Sequence, residues 1–374
     1  KFDADISNFT FIEASDIEKH FTPYKPNKIK NASQVLTESA KNFYKNYYNA
    51  ETVESLSNID IFRRLGKKEV NYAPHLLIKT GQKDKEFCAS YIEFDCYFKH
   101  AVYGISYKQV IEKNIDKVNL LKALTAYYNS KFSSYYLFLT SISWGIEREQ
   151  VQPQEMLSLP PLPFEIDEEE IIKLATKEDE IAAIISNPWS DKLKIKEIEK
   201  EIDEIIYNAL DLSSLERYLI EDIWNYSLEL FQEGAKSRAL MPVNNNNDEL
   251  VDYLKLLASI LNEHLKHTEI RTWGSIWKMP STIPLRLVSI HFTNQYKPGH
   301  IHSLPNNKEL NTIINKIDKY TYEKYSESIY FRKVVKYYNN DDIHIVKPNQ
   351  KRFCSRSLAI QDADSILVEI SKME

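Results

Sequence analysis

The sequence predicts an α+β protein, on three observations. Helix-period apolar stripes occupy 117–139, 168–185 and 191–210. Short apolar or aromatic runs bounded by turn residues come in two separate groups, one after Ala73 and one after Ile270, with helix patterns between them. The chain holds only 7 Gly against 24 Tyr and 16 Phe, which argues against Gly-rich phosphate loops and many tight hairpins.

The 374 residues suffice for two or three domains, and a hydrophobic share of 43% lets them bury real cores. Net charge is −6, so any surface for nucleic acid must be a local patch on an acidic protein. Cys88, Cys96 and Cys354 are widely spread, which fits buried thiols in a reducing, cytoplasmic compartment better than a disulfide framework. No run of 18 apolar residues and no signal peptide are visible, so no membrane association is expected. The chain opens on Lys1 rather than Met, which leaves room for a segment ahead of it.

In order, residues 1–57 read as an extended arm with Pro23 and Pro26, then a helix over 33–49 capped by Ser33. In 59–70, Arg63, Arg64, Lys67 and Lys68 surround Gly66; four cations round a turn are commonly a solvated loop, and they also suit phosphates. Strands are expected at 75–79, across 87–98 and at 100–107, with Gly81 to Asp84 as a turn. Leu121, Leu124, Tyr128, Phe132, Tyr135 and Leu139 then form one helical stripe that frays at Thr140 and Ser141. A short segment from Ile146 to Val151 follows, and Leu157, Leu159, Pro160, Pro161 and Pro163 read as a stiff, extended exit.

This stretch resembles the end of a target recognition domain. The residues that carry the likeness are Asn129-Ser130-Lys131, Tyr136, Trp144-Gly145-Ile146-Glu147-Arg148, Leu159-Pro160 and Pro163. Such domains occur in specificity subunits of bacterial restriction-modification systems and in adenine-N6 DNA methyltransferases that carry their own specificity region. The likeness covers about residues 70–165. It implies a mixed sheet over 58–164 with loops facing the DNA major groove, followed by a long helix that spaces one module from the next.

After Pro163 the composition turns acidic, with fourteen Asp and Glu between Glu165 and Glu204. Helices are expected over 168–185 and 191–210, separated at Asn187-Pro188, and Ile195, Ile198, Ile202, Ile205 and Ile206 form a narrow seam. Ser213 or Ser214 caps a further helix from Leu215 to Phe231, ending near Gly234, and 248–267 is the next. Residues 165–268 thus read as a helical spacer or interaction region. Residues 269–374 read as a C-terminal α+β domain, with strands over 283–292, 329–338 and 343–346 and helices over 308–320 and 358–371. From Ser328 to Arg356, seven cations stand against Asp341 and Asp342, and Tyr330, Phe331, Tyr337, Tyr338 and Phe353 interleave with them. That mixture suits phosphates and stacked bases, while aromatics on a strand also pack a core.

The chemistry sought is mostly missing. There is no Gly-x-Gly-x-x-Gly and no Walker loop, and Asn187-Pro188-Trp189 lacks the second proline of the motif that holds a flipped adenine. His291, His300 and His302, or His264 and His267, have spacings a metal tolerates without the Cys pairs that make such a site convincing. No catalytic or metal residue is therefore assigned. The expectation is a module that recognises double-stranded DNA, with any S-adenosylmethionine or Mg²⁺ chemistry on a methyltransferase or restriction subunit outside these residues. The DNA-binding candidates are Arg63, Arg64, Lys67, Lys68, Arg148, Arg332, Lys336, Lys351 and Arg352, with an ion pair to Glu147 as the plain alternative for Arg148. The alternatives are a metal-dependent nuclease and a protein-interaction scaffold of a bacterial defence system.

Overall fold

The computed structural model describes residues 9–25, 67–81, 87–98, 101–109, 116–142, 144, 150–160, 168–243, 248–280, 282–294, 301–305, 308–325, 334–339 and 341–372. It is an α+β protein of two compact units, Lys1–Leu212 and Ser213–Glu374. The division falls inside the segment that the sequence suggested as one helical spacer.

The first unit begins with β1 (Thr10–Ile12) and β2 (His20–Phe21). The expected surface arm is therefore partly sheet. Phe11, Ile12 and Ile17 are buried, and so short an apolar run gives no period to read. The helix expected over 33–49 lies outside the described residues. β3 (His75–Lys79), β4 (Ala89–Ile92), β5 (Cys96–Phe98) and β6 (Val102–Ser106) follow. One sheet runs β2-β4-β3-β6, with β2 parallel to β4 and the other pairs antiparallel; β1 and β5 form a separate parallel pair. A Cβ at Gly104 of β6 would stand 2.6 Å from Phe98 Cζ, so the close approach of that ring requires glycine.

The single helix expected over 117–139 is two: α1 (Lys117–Asn129) and α2 (Lys131–Thr140). Ser130 between them is extended (φ −72°, ψ 158°), and its Oγ accepts the Ser133 amide as N-cap of α2. Asp203 Oδ1 accepts the Lys131 amide at 3.0 Å, placing a carboxylate at the positive end of α2. The break aims Asn129 at the sheet, where its amide accepts from Ala89 N and donates to Ala89 O, both at 2.9 Å. The extended exit is also partly helical: Pro153 begins α3 (Pro153–Leu157), a first-turn position where its missing N–H costs nothing. Gln150 bridges Gly81, and Trp144 is buried between Phe87 and Phe138.

The acidic helices form as expected, as α4 (Glu168–Ser186) and α5 (Leu193–Ala209). Ile198, Ile202 and Ile206 are buried along the α5 seam, which packs on α4, α1 and α2, while most of the carboxylates face outward.

The second unit opens with α6 (Ser214–Asp222), capped by Ser213 with Glu216 reaching back in a capping box. A π-helical turn, Ile223–Leu228, interrupts the expected helix before α7 (Glu229–Glu233), which ends at Gly234 with φ 53°. α8 (Asp248–His264), β7 (Arg271–Trp277), β8 (Leu285–Thr293), β9 (Ile301–Leu304), α9 (Lys308–Tyr325), β10 (Val335–Asn339), β11 (Asp342–Pro348) and α10 (Arg356–Ser371) complete it. The sheet order is β10-β11-β8-β7-β9, antiparallel except for β7 with β9. Leu250, Tyr253, Leu254, Leu257 and Leu261 of α8 pack with Ala359, Ala363 and Ile366 of α10 over Ile276, Val288, Ile290, Ile343 and Ile345. The opposite face packs Trp277, Leu287 and Val335 under Leu310, Ile313 and Ile317 of α9. Strand alternation sorts the sheet between these two cores.

Candidate nucleic-acid interface

One end of the four-stranded sheet gathers lysines from distant parts of the first unit. A short 3₁₀ helix, Lys68–Asn71, leads into β3, and another, Tyr107–Gln109, leaves β6; the two lie side by side. The corner is held by backbone accounting. Tyr107 N donates to Pro74 O at 3.2 Å, Ser106 Oγ to Tyr72 O at 3.2 Å, and Lys108 N to Ser106 Oγ at 3.3 Å. Lys108 Nζ stands 3.9 Å from the centroid of the Tyr72 ring, a cation–π contact on an exposed lysine. Lys67 is exposed at the start of the first 3₁₀ helix, and Lys68 is its first residue. Among the described residues at this end the acids are Glu69, Glu93 and Asp95, and Asp95 Oδ1 accepts the Ala73 amide. Lys67 and Lys108 are the exposed cations described here, set among these acids in a protein that is acidic overall.

Beside it lies a Cys–His contact, Cys96 Sγ at 3.3 Å from His75 Nε2. His75 Nδ1 lies 2.8 Å from Val70 O, an acceptor, so the proton sits on Nδ1. Burial holds this imidazole below its ordinary pKa and raises the Cys96 thiol. A reactive cysteine needs the opposite, a stabilised thiolate. The pair fastens β3 to β5 and is no nucleophile.

The C-terminal candidates sit differently. Lys336 Nζ lies 2.9 Å from Asp362 Oδ1, and Lys347, fully buried, lies 2.8 Å from Asp362 Oδ2. Lys351 pairs with Glu249, and Arg356 approaches Asp222 at 3.8 Å. Arg352 Nε donates to Gln350 Oε1 at 2.9 Å while its guanidinium lies over Phe353. The positive surplus counted along 328–356 is thus largely met inside the unit, by acids from α6, α8 and α10. Arg63, Arg64, Arg148 and Arg332 lie outside the described residues.

No protein-family model and no curated protein matches this sequence. The reading of the site therefore rests on its own geometry.

The second unit also holds an array that the sequence did not disclose. Across β7, β8 and β11, Ser275 Oγ lies 2.8 Å from His291 Nε2, and His291 Nδ1 lies 2.5 Å from Asp342 Oδ1. Trp273 stacks on His291 at 4.0 Å, with His302 edge-on to it at 5.1 Å. Burial works to raise the Asp342 carboxyl, but the His291 hydrogen bond and charge outweigh it and hold the group below the usual carboxylate range. The bonding order is that of a nucleophile triad, but the burial is reversed: Ser275 is fully buried and Asp342 is the more open end. With its oxygen buried, Ser275 serves to orient His291 against Asp342 and Trp273.

A parallel relay follows one step along the sheet. Trp277 Nε1 donates to Ser289 Oγ at 2.9 Å, and Ser289 Oγ lies 2.7 Å from His344 Nδ1. Burial pushes His344 down to about 4, so its neutral ring accepts the serine proton. Because Trp273 lies between His291 and His302, those two do not converge as metal ligands. Among the described residues no group of His, Cys, Asp or Glu is arranged to hold a metal, and no helix is long and apolar enough to cross a membrane.

Proposed function

We propose that the first unit is a sequence-reading module for double-stranded DNA in a restriction-modification system, with methylation or cleavage performed outside these residues. The observation that carries this reading is the lysine corner. Lys67 and Lys68 come from one connection and Lys108 from another some forty residues later, and the fold brings them to one end of a small mixed sheet. Phosphate contacts from such a corner fix the register of the protein on a duplex, while neighbouring loops read base edges. The likeness to target recognition domains supports the same reading at the Asn129-Ser130 junction, where a helix ends and ties to the sheet. The carboxylate-rich outer surface of α4 and α5 points to a different partner or to solvent, since it repels phosphates.

The test is duplex binding by fluorescence anisotropy as salt is raised. Binding that weakens steeply with salt supports the reading, and no binding to any duplex at low salt removes it.

A second reading, a protein-interaction scaffold, is favoured by one feature. Trp189 is 94% exposed and Leu193 71% exposed at the α4–α5 turn, an apolar tip on an acidic hairpin. W189A distinguishes the two: it leaves duplex affinity unchanged under the DNA reading and abolishes capture of a protein partner under the other.

A further inference from the structure

We infer that His20 is a doubly protonated cation that clamps the α4–α5 hairpin to strand β2, and that loss of one proton opens the α5 arm of the clamp. His20 Nδ1 lies 2.9 Å from Glu178 Oε1 of α4, and Nε2 lies 3.0 Å from Glu199 Oε1 of α5. An ionised carboxylate only accepts hydrogen bonds, so a ring flanked by two of them is satisfied only with a proton on each nitrogen. The third neighbour is the weakest: Asn129 Nδ2 is 3.4 Å from Nδ1, the longest of the three contacts, and its short hydrogen bond goes to Ala89 O at 2.9 Å. A neutral Nδ1 would offer Asn129 an acceptor but would turn its lone pair on Glu178.

The clamp stands beside a cavity lined by Phe21, Tyr91, Lys122, Glu178, Asp179 and Ala182, where Lys122 also pairs with Asp179 of α4, so polar ties add here to the packing of α4 on α1 and β2. Glu178 is almost wholly buried, its Oε2 has no hydrogen-bond partner, and His20 is the donor that meets Oε1. The backbone is committed as well. His20 has φ 72°, left-handed for a residue with a Cβ, a conformation that persists only where surrounding contacts over-determine it.

The charges facing the ring are Glu178 from α4, Glu199 from α5, and Lys19, which pairs with Glu199 at 2.7 Å. Two anions and two cations balance. When His20 loses one proton, the tautomer that keeps Nδ1–H still serves the buried Glu178. Nε2 then faces Glu199 with a lone pair, and Glu199, a quarter exposed and still bonded to Lys19, turns to water. Burial opposes the charge on His20, yet Glu178 and Glu199 outweigh it and raise the pKa above the ordinary 6.5. A histidine raised in the folded state contributes stability that is complete below 6.5 and is lost as pH rises through the raised value. On the acid side, burial works to raise Glu199, but His20 and Lys19 hold it at about 2, so that arm contributes above about 4.5 and fails only as pH approaches 2.

The experiment is a ¹⁵N imidazole titration of the full chain, with E199Q as the comparison. The inference expects both His20 nitrogens at imidazolium positions at pH 6, a midpoint above 6.5, and a lower midpoint in E199Q. A neutral ring at pH 6 in the wild type, or a midpoint that E199Q leaves unmoved, would overturn it. Should E199Q fail to fold, the wild-type titration alone decides, since a midpoint below 6.5 is incompatible with the clamp.

Discussion

Replacing Asp362 with Ala should destabilise the second unit by about 3–5 kcal/mol, the range for removing one partner of a buried ion pair. The structure shows why the effect is large. Three groups converge on this carboxylate: Lys347 at 2.8 Å, Lys336 at 2.9 Å and the Tyr253 hydroxyl, which donates at 2.6 Å. Lys347 has no exposed side-chain surface, and its remaining support would be the Phe353 carbonyl and the face of Tyr253. D362A therefore strands a buried ammonium that water cannot reach. In a unit of this size the loss corresponds to a Tm decrease on the order of 10 °C. Denaturant unfolding followed by tryptophan fluorescence measures it, with K336A as control. Lys336 is the outer arm and Asp362 keeps its other two partners without it, so K336A should cost about 1 kcal/mol. The pH dependence gives a second readout. Burial works to raise the Asp362 carboxyl, but Lys347 and Lys336 hold it below its ordinary value. Its contribution is present above the ordinary 3.8 and is lost as pH falls through the lowered value, an acid limb that D362A should lack. A D362A protein within about 1 kcal/mol of wild type would refute the view that these lysines are internal counter-ions.

Further outcomes follow from the same geometry. N129A leaves the Ala89 amide and carbonyl without their partner in a buried setting, and should cost about 2–4 kcal/mol in denaturant unfolding of the first unit. K336A should leave the salt dependence of duplex binding unchanged, because its ammonium is engaged by Asp362; a shallower slope would return this residue to the DNA surface. Asp342, held below the usual carboxylate range by His291, contributes stability above 3.8 that is lost as pH falls through the lowered value. D342N should remove that acid dependence in thermal melts between pH 5 and 2, and an unchanged profile would count against the His291 pairing.

Much of the fold was legible where a period ran long enough. The apolar stripes at 168–185 and 191–210 predict helices, and the structure has Glu168–Ser186 and Leu193–Ala209. The strands at 75–79, 283–292 and 343–346 and the closing helix were readable too, because their apolar patterns are local signals, whereas Ile301–Leu304 was not marked as a strand. What escaped was decided by distant partners. Ser130 lies within a continuous apolar stripe, and only Asp203, far along the chain, and the Asn129 tie to β4 explain why the helix breaks there. β1 and β2 span three and two residues, too few for any pattern. The basic run over 328–356 was counted against its own acids alone, whereas Asp222, Glu249 and Asp362 answer it from elsewhere. The Ser275–His291–Asp342 array exists only through strand register, which aligns His291 with Asp342 across β8 and β11. Lys108 and Lys67 lie some forty residues apart in sequence and only the fold brings their short helices side by side.

The most direct measurement compares duplex affinity over a range of salt for the wild-type chain and for K67A/K68A/K108A. Each phosphate contact contributes about 0.9 to the slope of log K against log salt. The wild type should bind a duplex at low salt with a steep negative slope, and the triple variant should lose roughly 2 to 3 from it while keeping its fold by circular dichroism. A triple variant with the wild-type slope, or a wild type with no affinity for duplex at low salt, would contradict DNA recognition at this end of the sheet.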